Sequence, residues 1–138
     1  MLFSSTSATT TGRRLPLDQP PPAGWPRPKV VRLARLRALA ELLLPNPALT
    51  PADLAAAVHL SERSFYRYLR ELTGHTPAGF IRELRLLRAQ QLLQAGELAT
   101  VAAVAYAVGF VNASHFGRAY ARRFGRPPGR EGNDDGPG

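Results

Sequence analysis

Residues 101–124 read VAAVAYAVGFVNASHFGRAYARRF, and this stretch decides the fold. Val101, Val104, Ala105 and Val108 fall on one face at helical spacing, behind Thr100 in a capping position, and Gly109 stops the run. Asn112 is placed to cap a following helix over 113–124, in which Phe116, Tyr120 and Phe124 recur every four residues. A short helix, a tight turn and a capped second helix make the helix-turn-helix plan, whose second helix enters the major groove of DNA. One such pair is a weak signal, because many helical hairpins share it.

The chain holds a second pair with the same layout. Thr50-Pro51-Ala52-Asp53 supplies a cap, a proline at the first helical position and an acid three residues after the cap, opening a helix over about 51–58. His59 and Leu60 turn the chain, and Ser61 caps a helix over 62–73 in which Phe65, Leu69 and Leu72 form a stripe. Between the two pairs, Thr76-Pro77 starts a longer helix that Gly96 ends near Ala95, with Phe80, Ile81, Leu84, Leu87 and Leu92 on its buried side. Ahead of both, Val30, Val31, Leu33, Leu36, Leu39, Ala40, Leu42 and Leu43 recur helically until Pro45 and Pro47. No window alternates as a strand would, so the expected fold is all-α: two helix-turn-helix subdomains joined by a linker helix.

Charge points to a partner. The 138 residues carry 18 basic and 10 acidic side chains, net +8, and every basic residue except Lys29 is Arg. Residues 29–130 hold 15 basic and 6 acidic residues, a net of +9, so the charge belongs to the expected domain. Arginine's planar fork of donors suits phosphates and guanine edges, which makes nucleic acid the first partner to test. Two rivals fit a basic surface. One is a helical protein-interaction module with an acidic partner; the other is a cationic membrane-surface binder. The short, separately capped apolar stripes fit an internal core better than a membrane face.

Several segments now carry a family resemblance: Leu54–Val58 before Leu60-Ser61, Leu69-Arg70-Glu71-Leu72-Thr73-Gly74-His75-Thr76-Pro77, and Ile81–Ala89. It continues through Val104–Phe110, Ser114-His115-Phe116-Gly117-Arg118 and Arg123-Phe124-Gly125-Arg126-Pro127-Pro128. Over residues 48–128 the chain resembles the DNA-binding domain of the arabinose/xylose-regulator (AraC/XylS) class of bacterial transcription regulators. The resemblance implies two recognition helices on one chain, sequence-specific binding of double-stranded DNA in successive major grooves, and regulation of transcription. It also implies a contact with RNA polymerase, a cytoplasmic, nucleoid-associated location, and a sensor or receiver domain that this chain does not carry.

Setting aside the core stripe, in which Tyr68 is included, leaves Glu62, Arg63, Ser64, Tyr66, Arg67 and Arg70 outward on the first recognition helix. By the resemblance, Arg63, Tyr66 and Arg67 stand at base-contacting positions. Arg63 and Arg67, four apart, share a face and either is able to fork onto a guanine; the alternative is a solvated basic face. Arg70, one turn on, suits phosphate, and Ser61 serves as cap and phosphate contact. On the second helix the resemblance puts Ala113, Ser114, Gly117 and Arg118 at reading positions, with Asn112 and Arg122 assigned to phosphate. A head with residues this small positions as much as it reads. Three departures from the family pattern stand out: His59 where glycine is usual, Val111 where a polar residue is common, and Gly129-Arg130-Glu131-Gly132 in place of a final short helix.

Nothing in the sequence points to catalysis. There is no cysteine; His59, His75 and His115 have no ligand-like spacing; Ser64 and Ser114 have no recognisable His/Asp partners; and no glycine-rich phosphate loop occurs. No enzyme, metal or cofactor is expected. Glu41, Asp53, Glu62, Glu71, Glu83 and Glu97 read as caps and solvated helix faces. Residues 1–28, rich in Ser, Thr and Pro, are expected to form a disordered linker, and 131–138 a disordered acidic tail, leaving 29–130 as the DNA-binding domain. The linker composition fits either a fragment of a longer regulator or a small stand-alone activator, and the fragment case allows DNA binding without sequence preference.

Overall fold

The computed structural model describes residues 17–21 and 23–130. Six α-helices follow one another there: α1 (Arg27–Leu43), α2 (Pro51–Ala57), α3 (Glu62–Thr73), α4 (Pro77–Ala95), α5 (Val101–Ala107) and α6 (Ala113–Phe124), then a 3-10 turn at Pro128–Arg130. No strand occurs among the described residues. The local start signals act as the sequence implies. Thr50 and Asp53 form a reciprocal capping box, while Ser61, Thr100 and Asn112 each accept a hydrogen bond from the backbone N–H three residues on. Both recognition helices, α3 and α6, end at a left-handed glycine, Gly74 and Gly125.

The chain divides into two compact units. One holds the described residues up to Ala40 together with Thr50–Phe80; the other holds Glu41–Leu49 and the described residues from Ile81 on. The first buries Leu33, Leu36 and Ala40 of α1, Leu54 and Ala55 of α2, Phe65, Leu69 and Leu72 of α3, and Phe80 of α4. In the second, Leu86, Ala89 and Leu92 of α4 pack with Val104, Ala105 and Val108 of α5 and with Phe110, Phe116, Ala119 and Tyr120. A chain of tilted and edge-on rings runs from Phe110 through Phe116 and Tyr120 to Phe124, at centroid distances of 5.1, 5.6 and 4.6 Å. Such contacts add to the area these rings bury and fix the rotation of α6 about its axis.

The two turns share one hydrogen-bond pattern, which is the physical content of the repeated layout. In the first, Leu60 N–H donates to the Ala55 carbonyl (2.9 Å) and His59 N–H to Ala56 (3.0 Å). In the second, Phe110 N–H donates to Ala105 (3.0 Å) and Gly109 N–H to Tyr106 (3.1 Å). This is the Schellman arrangement, which needs a positive φ at its turning residue. His59 sits there at φ 62° and Gly109 at φ 101°. His59 is the one described residue other than glycine with a positive φ. A β-carbon in that region costs about 1–2 kcal/mol, and glycine's extra chain entropy returns about 0.5–1. His59→Gly is therefore expected to stabilise the protein by about 0.5–1 kcal/mol, read as a higher denaturation midpoint.

Several expectations need correction. The linker boundary at residue 28 falls inside regular structure, because α1 begins at Arg27. Leu17 is buried, and its carbonyl accepts a hydrogen bond from Arg37. The rest of that linker (1–16 and 22) and the acidic tail 131–138 lie outside the described residues. Leu42, counted in the apolar pattern of α1, is 78% exposed. Glu83 is no solvated single: it is paired with Arg123. At the departure over 129–132, the described residues form a short turn, Pro128–Arg130, in which Pro128 is buried and which contacts α6.

Candidate nucleic-acid interface

α3 separates its faces cleanly. Phe65, Leu69, Leu72 and Thr73 are buried, whereas Ser61, Glu62, Arg63, Ser64, Tyr66, Arg67 and Arg70 are exposed. The structure thus brings the candidate readers Arg63, Tyr66 and Arg67 together on the open side. Tyr66 keeps 49% of its surface in solvent, high for an aromatic residue whose burial would be favourable. Arg63 and Tyr66 line a shallow cleft of about 470 Å³ with Pro51, Pro77 and Ala78. The Ser61 side-chain oxygen accepts from Ser64 N–H at 3.1 Å, which leaves its hydroxyl proton free to donate outward. Arg70 donates through Nη1 to the Gly74 carbonyl at 2.7 Å, satisfying the end of α3. Its remaining guanidinium donors are still available to a phosphate.

Tyr68 is only half-buried, though the sequence places it with the core. Its hydroxyl is buried without a hydrogen-bond partner among the described residues. Burial raises its pKa above the usual phenol value, while the positive charge of Arg32 pulls the other way.

α6 presents a different surface. Ser114, Arg118 and Arg122 are exposed, and Ala113 and Gly117 are half-buried. Asn112 Oδ1 accepts from His115 N–H at 2.8 Å, so the Asn112 amide NH₂ is left to donate. A β-carbon on Gly117 would meet nothing within 4 Å. Packing therefore does not demand this glycine, although it weakens the helix by about 1 kcal/mol relative to alanine. What it provides is a flat place on the helix where another surface is able to approach. Val111, just ahead of the cap, is 77% exposed.

Two long-range supports behind this head were missed by sequence reasoning. Arg123 of α6 donates through Nε and Nη2 to the Glu83 carboxylate of α4 at 2.8–3.0 Å, with the Glu83 side chain only 11% exposed. Its guanidinium carbon also lies 4.7 Å from the Phe124 ring centre. Arg85 of α4 donates through Nη2 to the carbonyls of Leu44 (3.3 Å) and Asn46 (2.9 Å), and burial lowers its pKa. A β-carbon on Gly109 would lie 2.1 Å from the Leu44 oxygen and 2.7 Å from Arg85 Nε, so the turn before α6 fits against this pair with no room to spare. The only advance signals were an arginine and an acid on the linker helix, which ordinary surface residues also provide.

Among the described residues, no group of three or more His, Asp or Glu side chains is placed to hold a metal ion, and no helix is long and apolar enough to cross a membrane.

The profile of a helix-turn-helix domain matches residues 54–131. The chain is 36% identical over 88 residues to the RCS-specific HTH-type transcriptional activator RclR of Escherichia coli K12, covering 64% of this chain and 31% of that protein. It is 37% identical over 83 residues to the HTH-type transcriptional activator RhaS of Escherichia coli O139:H28, covering 59% of this chain and 30% of that one. The chain thus spans under a third of the length of these curated relatives. Among solved structures, a transcriptional regulator with an AraC-type DNA-binding domain from Chromobacterium violaceum superimposes with a TM-score of 0.68 at 32% identity, over 81% of this chain and 96% of that one. The DNA-binding domain of AdpA, solved in complex with a target DNA, gives 0.64 at 30% identity, over 75% and 97% of the two chains. Repeated helix-turn-helix geometry, an exposed arginine-bearing second helix in each pair and these matches agree: the chain belongs to the AraC/XylS family of helix-turn-helix transcription regulators.

Proposed function

We propose that residues 29–130 bind double-stranded DNA in a sequence-specific way, with α3 and α6 each lying in a major groove. The observation that carries this reading is the shared turn geometry, which in both pairs is followed by a helix with its apolar stripe buried and its arginines exposed. Arg63, Tyr66 and Arg67 read base edges in the first head. In the second, Ala113, Ser114, Gly117 and Arg118 stand at the reading positions: Arg118 reads a guanine or holds a phosphate, Ala113 meets a thymine methyl, and Gly117 allows close approach. Ser61, Arg70, Asn112 and Arg122 fix the register on the phosphates.

Regulation of transcription follows from the activators that the chain resembles. A contact with RNA polymerase, a sensor or receiver domain acting with this one, and action in the bacterial cytoplasm belong to the same proposal and rest on the family.

The division of labour within α3 gives a test. Arg70→Ala is expected to weaken binding about equally across sequences and to flatten the dependence of log K on log salt by about 1. Affinities for the preferred duplex and for a set of single-base variants, each measured over a salt series, check this. A loss confined to one base position would move Arg70 from the phosphate group to the reading group.

A further inference from the structure

Helix α1 carries a basic face that neither recognition helix accounts for. Arg27, Arg32 and Arg35 are exposed and, with Pro28 and Val31, line one surface cleft of about 450 Å³. Positions 27, 31 and 35 are four apart and therefore stand above one another on a helix. None of the three guanidinium groups makes a hydrogen bond or ion pair with any described residue. Lys29 adds a fourth exposed cation, and no acid precedes Glu41 along this helix.

The arrangement does nothing for the helix itself. Arg32 and Arg35 are like charges at i, i+3, which repel by a few tenths of a kcal/mol. Cations at the start of a helix also oppose its dipole, and the first turn of α1 has no acid to balance them. A local cost with no internal return is expected where a surface meets a partner of opposite charge.

We propose that Arg27, Arg32 and Arg35 form a further phosphate-binding surface, which grips the DNA backbone alongside the contacts made by α3. This deepens the DNA-binding reading above and rests on it. Eight residues of helix rise about 12 Å, and one DNA strand presents a phosphate about every 3.4 Å of duplex axis, so the three side chains reach several consecutive phosphates. Arginine suits the task, because its fork binds phosphate oxygens two at a time and sheds water more readily than an ammonium group. The first unit contains both this face and α3, and the charge of Arg32 is felt at Tyr68 on that recognition helix. The surface lies outside the 54–131 span that matches the helix-turn-helix profile.

The experiment compares the wild-type chain with the triple variants Arg27→Gln/Arg32→Gln/Arg35→Gln and Arg27→Lys/Arg32→Lys/Arg35→Lys on one preferred duplex over a potassium chloride series. The glutamine variant should bind about tenfold or more weakly at low salt, with a slope of log K against log salt shallower by about 2–3 and an unchanged order of preference among duplexes. The lysine variant should keep most of the slope. A glutamine variant with wild-type affinity and slope overturns the proposal. So does a lysine variant that loses as much as the glutamine one, since charge is then not the cause. Unchanged DNA binding with lost binding to polyglutamate would assign the face to an acidic protein instead. If the wild type itself bound no duplex, the DNA-binding reading would fall and take this proposal with it.

Discussion

Gly109→Ala should cost the second unit about 3 kcal/mol or more of stability and remove the contribution of α6 to DNA binding. Two penalties add. The added β-carbon would sit 2.1 Å from the Leu44 carbonyl oxygen and 2.7–2.9 Å from the Arg85 guanidinium, distances that force something to move. The oxygen is backbone, and Arg85 is itself held by the Leu44 and Asn46 carbonyls, so neither yields cheaply. Overpacking of this kind costs about 1–3 kcal/mol and occasionally more. The backbone at φ 101° is also unfavourable for any residue with a β-carbon, by about 1–3 kcal/mol. Urea denaturation followed by circular dichroism measures the loss. A variant within 1 kcal/mol of wild type would show that the turn is not braced by Leu44 and Arg85. His59→Gly is the mirror case: the same turn position in the first pair, with the sign reversed.

Arg67→Ala should abolish discrimination at one base pair while leaving the other positions of the site unchanged. Arg67 is exposed on the open face of α3, one turn from Arg63 and beside Tyr66. A bidentate contact to guanine O6 and N7 is worth about 1–3 kcal/mol of discrimination, so the preferred base should lose about 5- to 150-fold of its advantage there. Binding measured against a full set of single-base variants of the preferred duplex checks this. An even loss across the set would place Arg67 on phosphate and leave base reading to Arg63 and Tyr66. Arg70 gives the contrasting pattern, because it stands at the far end of α3 and already donates to the Gly74 carbonyl.

Much of this architecture is legible in the sequence because it is written in local signals. The bounds of α3, α4 and α6 agree with the expected 62–73, 77–95 and 113–124, since each start carries its cap and each stop its glycine. The exposed faces of α3 and α6 follow from the spacing of Phe65, Leu69, Leu72, Phe116 and Tyr120 alone. The positive φ at His59 was also foreseeable, because the paired turn has Gly109 at the matching place.

What was not legible depends on residues far apart in the chain. Glu83 and Arg123 are 40 positions apart, and Arg85 and Leu44 are 41 apart, so only the folded arrangement reveals their pairing. Leu42 shows the limit of periodicity. Its helix carries apolar residues on more than one face, and the pattern does not say which of them stay in solvent. The candidate site is legible as a set of exposed side chains; which of them touch bases depends on the DNA.

Selection from a random duplex-DNA pool at near-physiological salt, followed by sequencing of the bound fraction, tests the central claim most directly. The account predicts enrichment of a defined sequence in two blocks about 10 bp apart, with one base position of the first block relaxed in Arg67→Ala and the second block lost in Gly109→Ala. Binding of the pool with no enriched sequence would contradict it and reduce the two exposed helices to a non-specific basic surface.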